Sequence, residues 1–226
     1  KGNGASIYTN SVLNVKDSNF NSQNANGTAI IYIESSNKNV NLTNNTITSN
    51  LLPIYNKGGN IISPTNLIFN NVTVEEGRKA TLTATLTDDN GNIIGSNTNV
   101  PGKVGNNNVA FVFDDATRNF TAVYTPQNKG EYIVTGTYSQ ATTIKVNNGT
   151  LNVTDFIPDF KDLQDIIDAV DPNTILYLNG TNYTAKPGQS NVIINKTLTI
   201  IGGSEANPSL KSTLDAKELC RIFNIT

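Results

Sequence analysis

Hydrophobic and polar positions alternate with a period near two along most of this chain, and one stretch departs from that rule. Between residues 156 and 172, Phe160, Leu163, Ile166, Ile167 and Val170 recur on one side of a 3.6-residue period, with Lys161, Asp162, Asp165 and Asp168 opposite. Asp159 is placed as an N-cap and Pro172 as a stop, which predicts one short capping α-helix near 159–170 in an otherwise all-β chain. Short apolar runs follow: TILYLNG, NVIINKTLTIIGG, STLDA and CRIFNIT. Leu176–Leu178, Leu198–Ile200 and Phe223–Ile225 return at a spacing of about two dozen residues, the interval of solenoid coils. Residues 154–226 therefore read as the helix-capped opening coils of a β-solenoid. The helix covers a backbone edge that would otherwise be a template for another strand.

Residues 1–62 carry a second solenoid pattern. SVLNVKDSNFNSQN superposes on KNVNLTNNTITSN at an offset of 27, placing Leu13 on Val40, Val15 on Leu42, Asp17 on Asn44 and Phe20 on Ile47. Ala5-Ser6-Ile7-Tyr8, Ala29-Ile30-Ile31-Tyr32 and Pro53-Ile54-Tyr55 form a further repeat. The apolar members are expected to stack in a central column, with Asn19, Asn21, Asn44 and Asn45 turning corners and bonding along the stack. Gly58-Gly59 and Ser63-Pro64 mark the exit. Across 63–153, LIFNNVTV, ATLTATLTD, VAFVFDD, FTAVYTP, GEYIVTGTYS and TTIKVNN predict six or seven strands of an Ig-like β-sandwich. Thr81, Thr83, Thr85 and Thr87 would form its wet face against Leu82, Ala84 and Leu86. Tyr132 stands where such domains carry a tyrosine corner.

Composition narrows the function classes. Charge is low and balanced at a net −2, which leaves no electrostatic case for nucleic acid or an anionic membrane surface. No apolar run approaches the roughly 18–20 residues of a membrane span, and KGNGASIY lacks signal-peptide anatomy. Asn fills roughly one position in six, in keeping with tight turns. N-x-S/T sequons start at Asn26, Asn41, Asn44, Asn71, Asn119, Asn148, Asn152, Asn179, Asn182, Asn195 and Asn224, and in an exported chain these are the candidate N-glycosylation sites. The lone Cys220 excludes an intrachain disulfide, and its apolar surroundings read as packing rather than nucleophile. His is absent, which removes the commonest general base and metal ligand.

The order of these segments resembles the adhesin-like surface proteins of methanogenic archaea. DFKDLQDIIDAVDPNTILYLNGTNYTA, VIINKTLTIIGG, STLDA and CRIFNIT carry the most specific likeness, to the entry into that family's β-helix. The resemblance implies right-handed parallel β-helix coils at both ends flanking an Ig-like sandwich, an extracellular cell-surface location and a non-catalytic adhesive or structural role. It implies no cofactor. Both solenoid pieces would present a raw edge, and two explanations stand: excision from a longer protein, or coverage by another copy. In the second case subunits would self-associate head to tail, growing filaments at ~4.8 Å per coil.

Five constellations invite a chemical reading. Asp88, Asn90 and Asn92 in TDDNGN have the spacing of half a Ca²⁺ loop, but position twelve is Asn99 and a hairpin turn accounts for them better. Asp114-Asp115 reads as a strand-end turn. Asp215, Lys217, Glu218 and Arg221 would be the nominees for the alternative function, a polysaccharide lyase or hydrolase on a β-helix. Three coils offer little cleft and a solvated charged turn accounts for these residues better, so no catalytic residue is assigned. Lys79, Lys103 and Lys145 are available for a Lys–Asn cross-link, though nothing selects a trio. Tyr8, Tyr32, Tyr55 and Tyr183 are candidate contacts for a glycan or cell-surface ligand, with coil packing as the competing role.

Overall fold

The computed structural model describes residues 4–34 and 37–226, without the side chains of Gly4 and Ala5. Lys1–Asn3 of the opening KGNGASIY, and the Ala5 side chain of the first Ala-Ser-Ile-Tyr motif, lie outside the described residues. The described chain is all-β apart from one helix. It divides into two compact units, Lys1–Asp155 and Phe156–Thr226.

Eight short strands open the first unit: β1 (Gly4–Thr9), β2 (Leu13–Lys16), β3 (Asn19–Ser22), β4 (Ala29–Ile33), β5 (Asn39–Thr43), β6 (Thr46–Ser49), β7 (Leu52–Asn56) and β8 (Asn60–Ile61). All pair in parallel, as the ladders β1-β4-β7, β2-β5-β8 and β3-β6. Leu13 lies opposite Val40, Val15 opposite Leu42 and Phe20 opposite Ile47, while Ile7, Ile31 and Ile54 form one column. These are the partners that the internal repeats match. A one-residue slip would turn each apolar side chain outward, so the burial of Ile31, Val40, Leu42 and Ile54 pins the register. Asp17 and Asn44 turn equivalent corners at φ 51° and 54°, a region that Asp and Asn tolerate. Asn45 bonds along the stack, accepting from the Ser18 N–H at 3.2 Å and donating to the Val15 carbonyl at 2.9 Å. Asn19 and Asn21, expected at corners, sit instead on the exposed side of β3, because Ser18 and the Asp17 turn precede them.

Ten further strands complete this unit: β9 (Thr65–Phe69), β10 (Val72–Glu75), β11 (Ala80–Asp88), β12 (Ile94–Ser96), β13 (Val100–Val104), β14 (Asn107–Asp114), β15 (Asn119–Tyr124), β16 (Gly130–Gly136), β17 (Ile144–Asn147) and β18 (Gly149–Thr154). Nine of them form one continuous sheet in the order β10-β18-β16-β13-β14-β15-β11-β9-β17. The sheet curls on itself, since Leu82, Ala84 and Leu86 of one half share a buried cluster with Val104, Val134 and Leu151 of the other. Phe69 and Phe111 meet edge to face inside it at 5.2 Å. LIFNNVTV, expected as one strand, breaks at Asn70-Asn71 into β9 and β10, which go to opposite parts of the sheet. β12 leaves the sheet and pairs with β7. The Gly58-Gly59 to Ser63-Pro64 stretch is packed rather than loose. Gly59 is buried, Ser63 Oγ accepts from the Leu42 N–H at 3.0 Å, and β8 lies within the stretch.

The second unit consists of α1 (Phe160–Ala169), β19 (Thr174–Tyr177), β20 (Tyr183–Thr184), β21 (Val192–Ile194), β22 (Leu198–Ile201), β23 (Leu214–Asp215) and β24 (Phe223–Ile225). Asp159 and Asp162 close a capping box on α1, each carboxylate accepting from the other residue's backbone N–H. The helix buries Phe160, Leu163 and Ile167. Its Gln164 amide binds both backbone groups of Ile193, donating to the carbonyl at 3.1 Å and accepting from the N–H at 2.7 Å. That side chain does for β21 what a neighbouring strand would do. The strands pair in parallel as β19–β22, β20–β23 and β21–β24, but in a register other than the sequence spacing suggests. Leu176 lies opposite Ile200, not Leu198, and Phe223 lies opposite Val192 on a different ladder. The excursion from Gly202 to Thr213, held by Ser212 Oγ donating to the Gly202 carbonyl at 2.8 Å, carries the chain between ladders and breaks the simple period. Side chains of β19–β21 such as Leu176, Tyr183 and Val192 are buried, whereas Leu198, Leu214 and Phe223 are only half-buried.

Candidate functional site

Tyr8, Tyr32 and Tyr55 hold the same register position on β1, β4 and β7. Their rings stack, with centroids 5.8 and 5.2 Å apart and interplanar angles of 14° and 20°. Parallel strands repeat identical positions at about the thickness of a stacked ring pair, so one Tyr per repeat suffices to build the column. An ion pair between Lys57 and Glu34 flanks it. Burial, then Glu34, pushes the Tyr32 hydroxyl above its usual range; burial, then Tyr32, does the same for Tyr55. Stacked rings occupy one another's faces, and only Tyr8, 53% exposed, keeps substantial surface open. Tyr183 is buried in the second unit. Of the four tyrosines nominated as ligand contacts, the structure brings three together, but as packing, and leaves one accessible.

The most highly organised polar cluster lies where the parallel ladders meet the nine-stranded sheet. Asn56, fully buried, donates from Nδ2 to the Gly59 carbonyl at 3.0 Å and to Tyr138 Oη at 2.9 Å, and accepts from the Gly59 N–H at 2.8 Å. Tyr138 in turn donates to Gln140 Oε1 at 2.9 Å, and burial pushes its hydroxyl up to about 12. Asp88 is also fully buried, accepting from the Asn90 and Asn92 N–H groups at 3.0 and 2.8 Å. Burial nonetheless raises its carboxyl above the usual range. TDDNGN is thus a hairpin turn, closed by the Thr87–Ile93 antiparallel bridge, and its Asp88 oxygens face the turn's own amides. A polar hollow of about 140 Å³ adjoins the cluster, lined by Asn37, Gly58, Gly59, Asn60, Ser139 and Gln140.

The other nominated residues are dispersed. Asp114 accepts from the Ala116 N–H at 3.0 Å and from Thr117 Oγ1 at 2.8 Å; these bonds, Thr117 foremost, lower its pKa and make a strand-end turn. Asp215 accepts from the Lys217 N–H at 2.9 Å, which lowers its pKa, and pairs with the Lys217 ammonium. Lys217 and Glu218 both have positive φ, so this is a solvated turn, and Arg221 is exposed beside it. Lys79, Lys103 and Lys145 are exposed, unlike the buried trio that a spontaneous amide cross-link needs. Cys220 is half-buried at the rim of the second unit's core. Among the described residues no three His, Cys, Asp or Glu side chains gather as a metal site, and no helix is long and apolar enough to cross a membrane.

Nine sequon asparagines are exposed: Asn26, Asn44, Asn71, Asn148, Asn152, Asn179, Asn182, Asn195 and Asn224. Asn41 and Asn119 are half-buried. A glycan attaches at Nδ2, and two of these nitrogens are engaged, Asn44 with Asp17 at 2.7 Å and Asn119 with the Thr117 carbonyl at 2.8 Å. The roles of Asn56 and Gln140 were not legible beforehand, since nothing distinguishes them from the many other amides of the chain; for Asn92 the turn was legible, but its bonds to Ile47 and Asn45 were not. No protein-family model matches this chain, and no curated protein matches it.

Proposed function

We propose that this chain is an extracellular, adhesin-like or fibre-forming cell-surface protein that acts as a rigid, non-catalytic rod. On this reading, residues 1–62 and 154–226 are right-handed parallel β-helix coils and 63–153 an Ig-like β-sandwich. The observation that carries it is the set of in-register parallel ladders in both units, with apolar columns inside and Asn, Thr and Ser outside. The bond from Tyr132 Oη to the Asn128 carbonyl, at 2.9 Å, supports the Ig-like assignment, being the contact of a tyrosine corner. Within each set of ladders every repeat buries its interior only against its neighbours, so stability adds along the stack. A glycan or cell-wall polymer is the proposed ligand class. Head-to-tail self-association through the edges of the parallel ladders is the proposed means of extension.

Three measurements on the purified chain test this. Electron microscopy at rising concentration should show rod-shaped particles, and a panel of immobilised glycans and cell walls should retain the protein. Incubation with polygalacturonate and host glycans should release no reducing ends. Turnover of any of these polymers would overturn the reading in favour of a carbohydrate-active enzyme.

A further inference from the structure

The parallel ladders of the first unit end on an edge that one module closes by three different devices. On the first ladder β12 lies against β7 as an added parallel strand, with Ile94, Gly95 and Ser96 opposite Ile54, Tyr55 and Asn56. On the second, Ile61 donates to the Gln140 carbonyl at 2.8 Å and accepts from the Thr142 N–H at 2.9 Å. On the third, side chains stand in for a strand. Asn92 accepts from the Ile47 N–H at 3.2 Å and donates to the Asn45 carbonyl at 2.7 Å, which Asn90 also reaches at 2.8 Å. Both oxygens of Asp89 accept from the Asn44 N–H at 3.1 Å. The tyrosine column is stopped as well: a Cβ on Gly95, the residue opposite Tyr55, would lie 2.6 Å from the Phe113 ring.

We infer that the nine-stranded module, with β12, is a terminator for the parallel ladders. Its two segments 88–96 and 138–143 imitate a further repeat, and so prevent this edge from taking a strand of another chain. A module that merely followed the ladders in sequence would need a linker and none of these bonds. Here two segments, some 50 residues apart along the chain, converge on the last strand of every ladder. The Asp88 carboxylate serves the same end, because its bonds to Asn90 and Asn92 fix the turn that presents those amides. Closure at this edge confines growth of the stack to its opposite side.

The test uses the full chain with Asn92→Ala, which opens the third ladder, and separately Gly95→Val, which wedges β12 from β7. Asn90→Ala, at an exposed position, is the milder variant should either fail to fold. Residue-resolved hydrogen exchange should show the Ile47 amide exchanging at least about tenfold faster in Asn92→Ala, and the Ile54 amide likewise in Gly95→Val, with β11 and β15 amides unchanged. Sedimentation should show each variant forming larger species than the wild type at equal concentration. Association through other edges is common to all forms and cancels in that comparison, so the outcome does not depend on adhesion or filament growth. Wild-type exchange at Ile47 and Ile54 in the variants would overturn the inference. Faster exchange with wild-type sedimentation would also overturn it, since the module would then be a buttress and not a barrier.

Discussion

Replacing Asn56 tests the joint between ladders and sheet most directly. Asn56→Ala removes the partner of both the Gly59 N–H and the Gly59 carbonyl, at a residue with no solvent access. Each orphaned buried group costs about 1–3 kcal/mol, so the variant should lose about 2–6 kcal/mol. Tyr138→Phe is the control. It removes one hydroxyl but leaves Asn56 bonded to Gly59, and should cost only about 1 kcal/mol. Urea unfolding followed by tyrosine fluorescence gives both numbers, read as shifts in midpoint at constant slope. A Tyr138→Phe loss as large as that of Asn56→Ala would refute the argument, because stability would then reside in the ring's hydroxyl and not in the amide clamp. The same residue makes an alkaline prediction. The folded Tyr138 hydroxyl titrates at about 12, against about 10 when unfolded, so its contribution is complete below pH ~10 and is lost as pH rises through ~12. That loss amounts to about 2–3 kcal/mol, more than the hydroxyl's ~1 kcal/mol advantage, so wild type should fall below Tyr138→Phe in stability over the interval.

Other outcomes follow from the same geometry. Leu163→Ala, at a fully buried helix position, should cost about 2–5 kcal/mol and lower the melting temperature of the second unit alone. Gln164→Ala should cost about 1–2 kcal/mol and speed exchange at the Ile193 amide. Gly136→Ala places a Cβ 2.8 Å from the Pro101 carbonyl oxygen and 2.9 Å from Phe69, so calorimetry should show about 1–3 kcal/mol of destabilisation. For Asp88 the folded pKa is raised, so the folded state binds the proton more tightly than the unfolded one. Its burial cost should therefore ease as pH falls from neutral toward the ordinary carboxylate range (~4), and Asp88→Asn should remove that pH-dependent component from urea midpoints.

The residue pattern alone determined what lies within one repeat or one helix. The alignment of Leu13 with Val40 and of Tyr8 with Tyr32 and Tyr55 survives in the strand registers, where a one-residue slip would turn every interior side chain outward. The helix and its Asp159 cap are equally local, resting on a 3.6-residue period and a side chain two or three residues from the amides it binds. Connections and edges were decided only in three dimensions. The second unit's register moved by two residues because a loop's excursion is set by what it packs on, not by its length. β12 has three residues and β8 two, too few to show a period, and each forms because a neighbouring strand already exists to receive it. The amide of Asn56 looks like any other in an Asn-rich chain, and the turn spacing around Asn92 does not show what its side chain binds. Beyond the local bonds, Asn56 reaches Tyr138 and Asn92 reaches Ile47 and Asn45, dozens of residues away, and such long-range complementarity leaves no trace in spacing.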